Sequence, residues 1–123
     1  MAKVLIIEDE AVISMMLESW IADLGHETVG PASTIGKALN LIETTEFDAV
    51  ILDMALDGPL TYELAETLRA RGIPFAWGTG YNARDILPEF RDEIIVSKPY
   101  SFDAFALAIE TLLAAGPQAA TVS

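Results

Sequence analysis

Four short, unbroken apolar runs restrict this chain more than any other feature. They are residues 4–7 (VLII), 49–52 (AVIL), 73–77 (IPFAW) and 94–96 (IIV). A strand with one wet face alternates apolar and polar residues. A strand covered on both faces reads as a continuous run, and such strands belong to parallel sheets flanked by helices. Between the runs the apolar residues recur at helical spacing instead. Residues 10–24 carry Val12, Ile13, Met16, Leu17, Trp20, Ile21 and Leu24, and Gly25 follows where a helix-ending glycine belongs. A second strand is expected at 26–29. A helix follows Ser33 or Thr34, with Ile35, Ala38, Leu39 and Ile42. The third strand is expected at 47–52, and a helix at 60–70 is closed by Gly72. The fourth strand is read at 73–77, and a fourth helix at 82–91 is the weakest, because Pro88 removes a donor inside it. After the fifth strand at 94–96 or 97, a helix capped by Ser101 carries Phe102, Phe105, Ile109, Leu112 and Leu113. Strands alternating with helices in this way give βαβ crossovers and one parallel sheet in an α/β domain.

The strand ends carry the chemistry. The first run stops in Glu8, Asp9 and Glu10, the third strand in Asp53, the fourth in Thr79 and the fifth in Lys98, followed by Pro99. In a parallel sheet these ends share one edge, which is where such folds bind ligands. Carboxylates, a hydroxyl and an ammonium converging there suit a divalent metal and a phosphoryl group. Any one of them alone reads as a turn residue or a solvated charge; together, at these ends, they do not. Glu10 reads as a first-turn residue favoured by the helix dipole. Asp57 reads as loop chemistry before Gly58, and His26 as a surface residue. Trp20 is expected in the core, and Trp77 either packs in its strand or walls the site.

Composition narrows the field further. With 19 acidic against 7 basic residues the net charge is −12, which makes nucleic acid and anionic membranes poor direct partners. There is no cysteine, so disulfides and thiolate metal sites are excluded. The N-terminal apolar stretch is too short for a signal peptide, and no run approaches transmembrane length. These points make the cytoplasm the default location. The stretch 116–123 is expected to fray, and no output domain is expected beyond the fifth helix.

From first strand to last helix, with Glu8 and Asp9, Asp53, Thr79 and the Lys98–Pro99 pair at successive strand ends, the chain resembles the receiver domain of bacterial two-component response regulators. The resemblance covers residues 1–115. It implies the flavodoxin-like, doubly wound (βα)5 fold with strand order 2-1-3-4-5. It also implies that Asp53 is the phosphoryl acceptor, forming an acyl phosphate. Glu8, Asp9, Asp53 and the Ala55 carbonyl would hold Mg²⁺. Lys98 would pair with the acceptor and then with the phosphate, Thr79 would donate to a phosphate oxygen, and Pro99 would follow a cis bond. The partners implied are a sensor histidine kinase or histidine phosphotransfer protein, docking on the exposed part of the first helix near Ala11, Ser14, Met15 and Glu18. A downstream protein would be met by the face of helix 4, strand 5 and helix 5. Phosphorylation and its reversal would be self-catalysed, without turnover on an external substrate.

Two departures from the family bear on the switch. The acceptor loop DMALDG places only four residues between Asp53 and Gly58. The position three before Lys98, aromatic in the common receiver, is Ile95. Instead Tyr81 follows Thr79, which is flanked by Gly78 and Gly80; this TGY strand end resembles an alphaproteobacterial subgroup. The expected switch therefore comprises Thr79, Tyr81 and the residue at Ile95, with the glycines freeing the loop.

Rival readings remain at this point. An aspartyl phosphohydrolase of the haloacid-dehalogenase type wants a second Asp at the position of Ala55. A flavin binder wants a hydroxyl- and glycine-rich phosphate loop where EDEAV stands. A receiver-like interaction module that is never phosphorylated, and a phosphate sink or relay, keep the same residues.

Overall fold

The computed structural model describes residues 1–56, 60–80, 86–90 and 93–115. Five strands form one sheet: β1 (Lys3–Ile7), β2 (Glu27–Ala32), β3 (Ala49–Asp53), β4 (Phe75–Thr79) and β5 (Ile94–Ser97). They are parallel throughout and ordered β2-β1-β3-β4-β5, as expected. The helices are α1 (Ala11–Asp23), α2 (Ile35–Thr44), α3 (Tyr62–Ala70) and α4 (Phe102–Ala115).

Every residue of β3 and β4 is buried, which is what continuous apolar runs require. Alternate residues face two separate cores. Leu5, Ile7, Val50, Leu52, Phe75 and Trp77 meet Ala38 and Ile42 of α2 and Leu64, Ala65 and Leu68 of α3. Val4, Ile6, Ala49, Ile51 and Ala76 meet Leu17 and Ile21 of α1 and Phe105, Ile109 and Leu112 of α4. Helices thus cover both faces. After β2 the chain returns past β1 to β3, so the strand order reverses between β1 and β3. That is the switch point at which such sheets open a crevice.

The helix ends follow the sequence signals. Gly25 and Gly72 have φ of 85° and 69°. Each closes its helix with a paired turn: Gly25 N–H to Ala22 and His26 N–H to Ile21, and Gly72 N–H to Arg69 and Ile73 N–H to Leu68. The Thr34 hydroxyl accepts the Lys37 N–H at 3.1 Å, and Ser101 Oγ accepts the Ala104 N–H at 3.2 Å.

Several expectations need correcting. Strand β2 runs to Ala32 rather than stopping at Val29. It passes through Gly30 and Pro31 because β2 is an edge strand, where a residue without an N–H is tolerated. Gly30 has φ of 90°, and a Cβ there would lie 2.9 Å from the Ala32 nitrogen. Strand β4 begins at Phe75 and continues through Gly78 to Thr79. On α1, Val12 is 80% exposed and Ser14 is buried, because the inward stripe is Ser14, Leu17 and Ile21. Leu39 is exposed on α2 as well. Of the expected fourth helix, the described residues 86–90 hold a single 3-10 turn, Pro88–Phe90; the remainder, with Tyr81, lies outside the described residues, as do Asp57, Gly58 and the tail 116–123.

The large aromatics divide between the two cores. Trp77 is fully buried and sits edge-on to Phe75, Tyr62 and Phe90, which makes it strand packing rather than a wall of the site. Trp20 is half-buried, edge-on to Phe102 at 5.7 Å and beside Phe105. His26 is half-buried, and its Nδ1 accepts the Ala2 N–H at 3.0 Å, tying down the N-terminus. No helix of the described residues is long and apolar enough to cross a membrane.

Candidate functional site

The carboxyl ends of β1 and β3 bring Glu8, Asp9 and Asp53 together at the switch point. One carboxylate oxygen from each lies within 4.8 Å of the others. Glu8 and Asp53 are buried, and Asp9 is half-buried. Lys98, just past β5, spans the sheet edge to join them: its Nζ is 3.2 Å from Glu8 Oε1 and 3.2 Å from Asp53 Oδ2. The Lys98–Pro99 peptide bond is cis. Thr79 ends β4 and is buried, and its carbonyl accepts the Lys98 N–H at 2.9 Å. Glu8, Asp9, Asp53, Thr79 and Lys98 therefore lie at one edge of the sheet.

The main chain around Asp53 is braced from several directions. The Ala55 N–H donates to Asp53 Oδ1 at 3.3 Å, and residue 55 forms a bridge with Leu60. The Thr61 hydroxyl donates to the Asp53 carbonyl at 2.6 Å. Thr61 stands at the N-cap position of α3 but makes no side-chain cap bond; its hydroxyl serves the acceptor strand instead. The Thr61 N–H donates to the Met54 carbonyl and the Met54 N–H to Gly78. Sequence reasoning missed Thr61, because its partner is eight residues away and no local signal marks the bond.

Burial pushes the Glu8 carboxyl up to about 7, and Asp53 beside it adds to the rise. The Glu10 N–H, which donates to Glu8 Oε2 at 3.1 Å, and the Lys98 charge pull the other way without prevailing. Burial alone would lower Lys98, but the Asp53 and Glu8 charges outweigh it and hold the ammonium above its ordinary value.

The donor set fits a hard divalent cation. It offers carboxylate oxygens only, and Glu8 Oε1 is buried without a well-directed hydrogen bond among the described residues. A divalent cation can take such an oxygen as a ligand alongside the Lys98 charge.

The sign of the resulting pH dependence follows by linkage. Glu8 keeps its proton in the folded state over a range where the unfolded chain has lost it. Stability in EDTA is therefore expected to fall as pH rises from about 4.5 to about 7. The effect is on the order of 2 kcal/mol once solvent screening is allowed for. Melting temperatures of wild type and Glu8→Gln across this range measure it. The variant should show the flatter profile; parallel profiles would mean that Glu8 does not titrate there.

Ile95 is half-buried, paired with Trp77 and packed on the α2–α3 side, so no aromatic stands at that position. Gly78 is not loop freedom: it lies inside β4, paired with Asp53 and with Val96. A Cβ on Gly78 would overlap the Tyr100 hydroxyl. Tyr100, in the motif SKPY beside Lys98, is the second residue the sequence reading passed over.

Residues 4–110 match the response regulator receiver domain family. The chain belongs to that family. The receiver is similar to the transcriptional regulatory protein PdtaR of Mycobacterium tuberculosis, with 32% identity over 112 residues, covering 88% of this chain and 55% of PdtaR. It thus spans about half the length of that relative. Its backbone is similar to the solution structure of SdrG from Sphingomonas melonis, with a TM-score of 0.80 and 38% identity over 92% of this chain and 97% of that one. It is similar also to the BeF3-activated conformation of SdrG from Pseudomonas melonis, with a TM-score of 0.79 and 39% identity over 90% and 95% of the two chains. Receivers act in two-component signalling, and the acidic cluster of this receiver can hold a metal ion.

Proposed function

We propose that this receiver takes a phosphoryl group from a histidine of a sensor kinase or a phosphotransfer protein onto Asp53. The loaded form then changes its affinity for a downstream protein, in the cytoplasm. The observation that carries this reading is the Lys98 ammonium, equidistant at 3.2 Å from Glu8 and Asp53 at the switch point, with Asp9 alongside. A carboxylate so placed is a nucleophile whose surroundings already balance charge.

In the transfer, an Asp53 oxygen forms the new P–O bond as the partner's P–N bond breaks, and the imidazole nitrogen leaves with the electron pair. Such a transfer needs positioning and charge neutralisation more than covalent help. The Ala55 N–H and the Thr61 hydroxyl hold Asp53 in orientation. Lys98 follows the charge from carboxylate to phosphoryl oxygen, and Thr79 donates its hydroxyl to a phosphoryl oxygen. Glu8, Asp9 and Asp53, with the Ala55 carbonyl, are the residues that would hold Mg²⁺; when bound it neutralises charge on the transferring oxygens. The receiver catalyses its own loading and unloading and turns over no external substrate.

Intact mass after incubation with Mg²⁺ and acetyl phosphate tests the reading. One added phosphoryl group is expected, lost in Asp53→Asn and in EDTA. No addition from acetyl phosphate, nor from a phosphorylated cognate kinase, would sink the proposal and leave an unphosphorylated binding module.

A further inference from the structure

Tyr100 has a polar group that none of the contacts described above uses. Its ring packs against the α1–α4 core, with its centroid 6.4 Å from that of Phe105 and 5.8 Å from Lys98 Nζ. Its hydroxyl is buried and has no hydrogen-bond partner among the described residues. The hydroxyl occupies the place where a side chain on Gly78 would stand, and the ring carbon bearing it would lie 2.8 Å from that Cβ.

The location matters because Gly78 and Asp53 are register partners on adjacent parallel strands. Side chains at such paired positions point to the same face. The phenol therefore reaches the face of the sheet edge on which Asp53 presents its carboxylate. Burial, with the nearby Glu8 and Asp53 charges, raises its pKa well above the ordinary tyrosine value, so it keeps its proton and remains a donor.

A buried hydroxyl without a partner is uncommon and calls for an explanation. Phenylalanine would fill the same apolar space without the orphaned group. The chain instead carries a hydroxyl and, at Gly78, the gap that admits it. A phosphoryl group supplies new, strongly charged acceptor oxygens at this edge.

Resting on Asp53 as the acceptor, we propose that the Tyr100 hydroxyl, seated in the gap at Gly78, donates a further hydrogen bond to the phosphoryl group on Asp53. The same device makes the resting state slightly unfavourable and the loaded state better satisfied. Tyr100→Phe should therefore act in opposite directions on the two states.

Beryllofluoride in the presence of Mg²⁺ is the probe, titrated against wild type and Tyr100→Phe, beside Mg²⁺ alone and the melting temperature of each unliganded protein. The variant should melt at or above the wild-type temperature and bind Mg²⁺ equally. It should bind beryllofluoride roughly tenfold more weakly, the loss of one hydrogen bond to a charged group. Equal beryllofluoride affinity in variant and wild type would overturn the Tyr100 role and leave the acceptor reading intact. A fall in melting temperature with unchanged beryllofluoride affinity would make the phenol purely structural. Wild type that neither binds beryllofluoride nor takes up a phosphoryl group would remove the acceptor reading itself, and this inference with it.

Discussion

Lys98→Met is expected to lower the rate of phosphoryl uptake from acetyl phosphate by about two orders of magnitude or more. Its binding of Mg²⁺ should stay at the wild-type level or tighten. Both halves follow from one arrangement. The ammonium sits 3.2 Å from Glu8 Oε1 and from Asp53 Oδ2, and it is less buried than either carboxylate. An anionic phosphodonor approaching this edge without Lys98 meets the carboxylates with that ammonium no longer offsetting them. A metal cation approaching it meets one competitor fewer. Removing one member of a buried pair leaves its partner charge uncompensated, but Glu8 has an outlet, because it can take up a proton. The stability lost in EDTA, about 3 kcal/mol for a pair whose ammonium is partly exposed, should accordingly shrink when the pH is lowered to about 5. Lys98→Arg should not restore uptake, since a planar fork does not replace a point charge held between two carboxylates. Single-turnover uptake followed by mass, beside Mg²⁺ titration, gives both readings. Near wild-type uptake by the methionine variant would show that the ammonium is dispensable.

Gly78→Val should be strongly destabilising although it adds only apolar atoms. In most receding positions of a strand a branched residue is welcome; here its Cβ enters the space of the Tyr100 hydroxyl and the ring carbon behind it. β4 is hydrogen-bonded on both sides, to β3 and β5, so the backbone has little freedom to retreat. Overpacking of this kind costs about 3 kcal/mol. The clash is specific, and a second change should relieve it. Tyr100→Leu removes both the hydroxyl and the ring, so the Gly78→Val/Tyr100→Leu double variant should be more stable than the sum of the single losses predicts, by about 1–2 kcal/mol. Denaturant melts of the four proteins close the cycle. Additive losses would mean that the two residues do not compete for the same space.

The sheet and the site were legible for one reason: their signals are local. An apolar run, then a charged or hydroxyl residue at its end, identifies strand and edge without knowledge of anything distant. Glu8, Asp9, Asp53 and Lys98 were found in that way and meet as expected. Features that depend on distant partners were not legible. Helical spacing on α1 includes Val12 as readily as Leu17, and only the sheet beneath decides that Ser14 faces inward and Val12 outward. The Gly30–Pro31 pair carries a turn signal strong enough to hide the last residues of β2, because nothing local says that the strand lies at an edge. Thr61 looks like an ordinary helix cap, yet it holds the Asp53 carbonyl. Gly78 suggests a flexible loop until Tyr100, 22 residues later, is seen to fill its missing side chain.

The division of the interior by the sheet leaves each half with its own indole. Trp20 lies against the core between the sheet and α1 and α4, and Trp77 belongs to the core under α2 and α3. The chain has no other tryptophan. Replacing either by phenylalanine therefore turns intrinsic fluorescence into a reporter of one hemisphere. A ligand at the sheet edge, or a partner on one flank, can then be followed optically on the side it perturbs, with the opposite side as an internal reference.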